Sequence, residues 1–326
     1  MAIDRFGRLI NYLRISLTDH CNLRCLYCMS EGVKFIPNTK LMSDEEILVF
    51  VRLFASLGIN KIRLTGGEPT IRPGVIDLVR EISATPGIRS VTMTTNGVIF
   101  SGIAHQLAEA GLKRVNFSLD TLDMDKYRQI TGRDALMEVL EGIRAAEEAG
   151  LTPVKINVVV VRDFNEEDVV EMARLTLENP WQVRFIEMMP FGDTQEFQFS
   201  QLVTANEIRE RIEVLLGGLD EYDGGKLEGE ARLFKVPGAR GNIGFISTVT
   251  QPFCAYCDRV RLTADGKFRL CLLSEFEVDL LGPMRGGMTS AELRGIILES
   301  IWNKPWGNRL AEGIVPENRV MSQIGG

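Results

Sequence analysis

Six short β-rich runs, separated by stretches with helical spacing, constrain this chain of 326 residues more than any other feature. They are YLRISLTD (12–19), KIRLTG (61–66), SVTMTTN (90–96), RVNFSLD (114–120), VKINVVVV (154–161) and QVRFIEMM (182–189). Between them, DEEILVFVRLFASLG (44–58) and ALMEVLEGIRAAEEAG (135–150) carry apolar residues at helical spacing, and each ends in a glycine suited to a helix C-terminus. Strand, helix and strand repeated in this way predict parallel βα units. The pattern fits a partial barrel and a doubly wound sheet equally. It breaks after about residue 200. GGLDEYDGGKLEGE (217–230) is glycine-rich and acidic and reads as an exposed connection, so two domains are expected, 1–220 and 221–326. Beyond it, the short strands RLFKV, GFISTV and RVRLTA surround further cysteines, and a helix is expected over about 289–303.

The hydrophobic content of 45% and charged content of 25% are those of a soluble globular protein. A net charge of −7 speaks against a general binder of nucleic acid or membrane surfaces, which carries a basic field. The N-terminus, MAIDRFGRLINYLRISL, lacks the cationic and then apolar order of a signal peptide, and no apolar run approaches about 18 residues. The expected location is therefore cytoplasmic, where six clustered cysteines point to metal binding and not to disulfides. Only His20 and His105 are present, so histidine-based acid–base chemistry has few candidates.

The cysteines fall into two groups of three. Cys21, Cys25 and Cys28, in CNLRCLYC, follow the first strand directly; Cys254, Cys257 and Cys271 span CAYCDRVRLTADGKFRLC. Three thiolates leave one iron of a four-iron cluster without a protein ligand, whereas such clusters usually have four cysteines. An open position invites an outside ligand, as in catalytic metal sites. Zinc is the rival at both places. At the first, His20 or a distant residue would complete the site; at the second, a ligand from upstream would be needed, since no cysteine or histidine follows Cys271.

CNLRCLYC resembles the signature of the radical S-adenosylmethionine (SAM) superfamily. That resemblance implies a partial (β/α)6 TIM-like barrel and a 4Fe-4S cluster on Cys21, Cys25 and Cys28, whose unique iron is chelated by the amino and carboxylate groups of SAM. Tyr27 is the aromatic residue typical of the position before the last cysteine. Gly67, in TGGEP, would receive the methionyl part of SAM. Ser118 and Met189 resemble further SAM contacts, Met189 mainly through its backbone. Active sites on such barrels lie at the C-terminal ends of the strands.

Along nearly its whole length the chain resembles the GTP 3′,8-cyclase family of molybdenum-cofactor biosynthesis. The resemblance rests on YLRISLTDHCNLRCLYC, IRLTGGEPTIR, TTNG, NFSLD, the lysine of VKIN, RFIEMM, FCAYCDRVRLTADGKFRLCL and the final GG. It implies a smaller C-terminal α+β domain with a second 4Fe-4S cluster, whose open iron binds guanine. It also implies that Arg14, Arg63, Thr94, Lys155, Arg184, Arg259, Val260 and Arg261 contact GTP. Charged side chains on otherwise apolar strands need partners, and guanidinium forks suit phosphate oxygens. Their alternative partners are barrel carboxylates such as Glu187 and Asp120. The implied reaction takes the C3′ hydrogen of GTP with a 5′-deoxyadenosyl radical and joins C3′ to C8, with Arg259 and Arg261 supplying positive charge. Gly325 and Gly326 are implied to enter the active site. A reductant protein such as flavodoxin or ferredoxin, the next enzyme of the pathway, and a monomer or homodimer complete the expectation. The rivals are a radical SAM peptide-modifying enzyme and a zinc-stabilised nucleic-acid-binding module.

Overall fold

The computed structural model describes residues 1–29, 32–191 and 200–325. β1 (Tyr12–Ser16), β2 (Lys61–Thr65), β3 (Ser90–Thr95), β4 (Leu112–Ser118), β5 (Lys155–Val160) and β6 (Gln182–Glu187) lie side by side in chain order, every pair parallel. The order never reverses, which is the winding of a barrel; a doubly wound sheet changes direction part-way. The crossovers contain α1 (Asp44–Ser56), α2 (Val75–Ala84), α3 (Ala104–Glu109), α4 (Met124–Thr131), α5 (Leu136–Glu148) and α6 (Val169–Glu178); α7 (Ala205–Leu216) follows β6. α1 begins at a capping box, in which Ser43 Oγ accepts from the Glu46 N–H and the Glu46 carboxylate accepts from the Ser43 N–H. Gly58, at φ +96°, follows its end.

Residues beyond 220 join the same sheet. β7 (Asp220–Glu221), β8 (Leu227–Glu228) and β9 (Ala231–Lys235) lead to β10 (Asn242–Ile246), which pairs parallel to β6. β11 (Arg259–Leu262) pairs parallel to β1 on the opposite edge, and β12 (Lys267–Arg269) and β13 (Val278–Asp279) continue antiparallel from it. One hydrophobic core runs across residue 220, uniting Leu13, Ile62, Val115 and Phe185 with Ile243, Val260 and Phe268. α8 (Leu281–Arg285), α9 (Ser290–Trp302) and α10 (Met321–Ile324) complete the chain.

The alternation within strands sets the site. Leu13 and Ile15 on β1, and Ile62 and Leu64 on β2, enter the core, so their neighbours Arg14 and Arg63 face the other side. Parallel register places Arg261, Arg14 and Arg63 in one row across β11, β1 and β2. Adjacent strands lie about 4.8 Å apart, so these cations are close neighbours. Gly244 sits opposite Arg184 between β10 and β6; a Cβ there would come within 2.9 Å of Arg184 Cγ, so the glycine makes room for that side chain.

Candidate active site

The first three cysteines occupy the loop that leaves the C-terminal end of β1. Glycine is required at positions 66 and 67 because the TGGEP turn abuts this loop. A Cβ on Gly66 would meet Thr18 O at 2.4 Å, and one on Gly67 would meet His20 O at 2.2 Å. The Gly67 and Glu68 N–H groups donate to Thr18 and His20 carbonyls at 2.7 and 2.8 Å. Glu68 is buried, and its carboxylate accepts from the Thr70 and Asn96 N–H groups and from the Thr70 and Thr95 hydroxyls. It thereby ties the ends of β2 and β3 together, and Asn96 Nδ2 in turn reaches Cys21 Sγ at 3.6 Å. Tyr27 donates its hydroxyl to Asp120 at 2.7 Å. Burial pushes the Asp120 carboxyl up to about 6, although that hydroxyl and the Val159 N–H oppose the rise. Ser118 ends β4, and Met189 lies just past β6, half-buried against a small cluster of Phe191, Leu273, Leu310, Val315 and Ile324.

The second group stands at the edge of the same sheet. Cys254 and Cys257 flank a tight turn that runs into β11, and Cys271 follows β12. Arg8, paired with Asp4 at 2.6 Å, donates to the carbonyls of Cys254, Pro305 and Trp306 and so fastens the N-terminus to this loop.

Between the two groups lie the cations. Arg63 donates to the Tyr12 hydroxyl and, at 3.3 Å, to Thr94 Oγ1. Arg184 Nε and Nη2 donate to Asn157 Oδ1 at 3.0 and 2.8 Å. With its amide oxygen turned toward them, Asn116 accepts from both Arg63 and Arg184. Val260 differs from its neighbours: its side chain is in the hydrophobic core, so only its backbone is available to this site. The acidic partners are not Glu187 or Asp120. Glu187 accepts from the backbone of Ala205, Val249 and Thr250, and Asp120 from Tyr27 and Val159. Instead, they come from the end of the 217–230 segment, where Glu228 stays exposed and Glu230 is enclosed. Glu230 accepts from Arg14 at 2.8 Å and Arg259 at 2.9 Å, and Glu228 accepts from Lys155. Despite burial, Arg259, Arg14, Arg184 and Arg63 hold the Glu230 carboxyl well below the usual range. Burial, reinforced by Arg184, brings Lys155 down to about 8 against the pull of Glu228. Burial and the adjacent charges of Arg14 and Arg259 also push Arg261 well down. Arg14 Nε is buried and has no hydrogen-bond partner among the described residues.

The C-terminal tail reaches this place. Gly325, at φ +86°, lies against Ser16 and Thr65 at the ends of β1 and β2, and its carbonyl accepts from Arg261. The Ser322 backbone lies near enough to the Cys28 thiol to oppose the upward push of burial there. Gly326 lies outside the described residues.

The donor sets suit a cubane cluster better than a single ion. Burial and the neighbouring thiols push Cys28 up to about 12 and Cys25 well above the ordinary thiol range, so only a strong cationic group would draw them out as thiolates. Among the described residues, no three His, Cys, Asp or Glu side chains converge closely enough for one metal ion. His20 is turned elsewhere, with Nδ1 3.0 Å from Asp19 and its ring stacked on Phe35.

Comparison with known proteins fits this geometry. Residues 15–176 match the radical SAM superfamily, and residues 181–310 match the family described as Molybdenum Cofactor Synthesis C. The chain is similar to GTP 3′,8-cyclase of Moorella thermoacetica, 47% identical over 324 residues that cover 99% of each chain. It is similar also to GTP 3′,8-cyclase of Pelotomaculum thermopropionicum, 46% identical over 324 residues and again 99% of each. Streptococcus suis SuiB bound to S-adenosylmethionine shares the fold, with a TM-score of 0.64 and 16% identity over 88% of this chain and 68% of that one. The chain belongs to the GTP 3′,8-cyclase family of radical SAM enzymes.

Proposed function

We propose that this chain converts GTP to (8S)-3′,8-cyclo-7,8-dihydroguanosine 5′-triphosphate, the first step of molybdenum-cofactor biosynthesis. The observation that carries the reading is the charge between the two cysteine groups. Six cations (Arg14, Arg63, Lys155, Arg184, Arg259 and Arg261) share the site with two carboxylates, Glu228 and Glu230. The excess of positive charge, to which Arg114 adds 4.0 Å from Glu228, suits the roughly four negative charges of a triphosphate. The unpartnered Arg14 Nε is a donor waiting for such a group.

Cys21, Cys25 and Cys28 hold one 4Fe-4S cluster and Cys254, Cys257 and Cys271 a second, with Tyr27, Gly67, Ser118 and Met189 around SAM. Bound together, the first cluster and SAM supply a 5′-deoxyadenosyl radical. The chain's own contribution is orientation, charge and exclusion of water. Tyr12, Asn116 and Asn157 fix the Arg63 and Arg184 forks, so little freedom remains to be lost when phosphate arrives. Thr94 extends that set through Arg63. Arg259 and Arg261 approach from β11, the strand that follows Cys257, so the residues that ligate the base end and those that bind the rest of the nucleotide move as one unit. The tail closes the other side: Ile324 is buried, and Arg261 is tied to Gly325.

The electrons come from a reductant protein such as flavodoxin or ferredoxin, and the product passes to the next enzyme of the pathway. The protein acts in the cytoplasm, as a monomer or homodimer. No helix among the described residues is long and apolar enough to cross a membrane. The division into a barrel domain, 1–220, and an auxiliary-cluster domain, 221–326, is kept as a functional one, since the two halves share a sheet. The test is Arg261→Ala. It should leave both clusters and SAM binding intact while removing cyclised product; turnover near the wild-type rate would refute the assignment.

A further inference from the structure

One cation beside the second cysteine group has no acidic partner among the described residues. Lys304 follows α9 in the sequence NKPW and is 2% exposed. Its Nζ donates to the Arg259 carbonyl at 2.9 Å and to the Leu270 carbonyl; among the described residues, these are its bonds. Arg8 makes the contrast, since it also holds this loop but carries Asp4 as its counter-ion. A buried ammonium held only by carbonyl dipoles is costly.

The two carbonyls identify what it holds. Arg259 stands two residues after Cys257, and Leu270 directly precedes Cys271. Nζ therefore bridges the two backbone segments that present two of the three cysteines.

We infer that Lys304 is a positioning residue for the second cluster: it pins the segments bearing Cys257 and Cys271 and lends the site an unbalanced positive charge that raises the cluster's reduction potential. This rests on the reading that Cys254, Cys257 and Cys271 hold an iron–sulfur cluster. Reduction adds one electron, and hence one negative charge, to the cluster; no bond or proton moves. A fixed ammonium stabilises that added charge, as hydrogen bonds and net charge do at other clusters.

The test is a reductive titration of the full-length, iron-loaded protein, followed by electron paramagnetic resonance, with the first cluster as internal reference. Lys304→Met should shift the second cluster to lower potential and leave the first unmoved, while Lys304→Arg should titrate close to wild type. Equal potentials in wild type and a fully loaded Lys304→Met would overturn the inference. If Lys304→Met loses the second cluster, Lys304→Arg decides: a retained cluster at wild-type potential supports the need for charge, and a lost one assigns the position to packing alone. Wild-type protein with signals from the first cluster only would instead refute the reading of the cysteine group.

Discussion

Replacing Gly325 with alanine separates the tail's place in the site from everything else in it. Gly325 adopts φ +86°, and a Cβ there would stand 2.4 Å from Thr65 Oγ1 and 3.1 Å from Ser16 Cβ. The left-handed backbone costs a residue with a side chain about 1–2 kcal/mol, and forcing an extra methyl into a packed space costs about 1–3 kcal/mol more. Thr65 cannot easily yield, because its hydroxyl already donates to the Ile15 carbonyl at 3.2 Å. Together these favour withdrawal of the tail by about 2–5 kcal/mol, or roughly 30-fold to several-thousand-fold in the docking equilibrium constant. The substitution touches no cysteine, so iron content should hold. Arg261 would lose its Gly325 acceptor, and the barrel would open to water. In parallel assays, 5′-deoxyadenosine should still form while cyclised GTP falls at least tenfold. Amide exchange across residues 321–325 should speed up by the same ratio. Wild-type product together with wild-type protection of those amides would refute the reasoning.

Glu230 and Lys155 give further tests. Glu230→Gln leaves Arg14 and Arg259 without their buried counter-ion, which should destabilise the substrate-free protein by about 3 kcal/mol. GTP should restore more of that loss than it adds to the wild type; an unchanged GTP-induced rise in Tm would show that the carboxylate does not compete with phosphate. Because Lys155 titrates near 8 in the free protein and phosphate favours its charged form, GTP affinity should be flat below that pH and weaken above it, by up to tenfold per pH unit. Lys155→Arg should abolish the slope, as seen by titration calorimetry between about pH 7 and 9.5; an identical slope would place the titrating group elsewhere.

Much of the framework is legible in local pattern. The six strands and α1, α5 and α9 follow from spacing and caps, and CNLRCLYC is readable because its three cysteines sit within eight consecutive residues. The winding becomes visible only through strand order. Composition reads most of 217–230 correctly as an exposed connection, but it hides Glu230, which meets Arg14 from 216 positions away. Lys304 and Arg8 are hidden for the same reason, since each acts on distant carbonyls that carry no side-chain signal. Gly67 is a mixed case. Its place beside the cysteine loop is consistent with the expectation, but the His20 carbonyl alone already demands glycine there. Asn116 and Asn157 are ordinary strand polar residues until the register sets them beside Arg63 and Arg184.

The most direct measurement is an anaerobic one: reconstitute the protein with iron and sulfide, add SAM and reductant, and compare turnover with and without GTP. The account predicts about eight irons per chain, as two four-iron clusters require, and a 3′,8-cyclised triphosphate that appears only with GTP. Zinc without iron, or 5′-deoxyadenosine formed with no cyclised nucleotide, would contradict it.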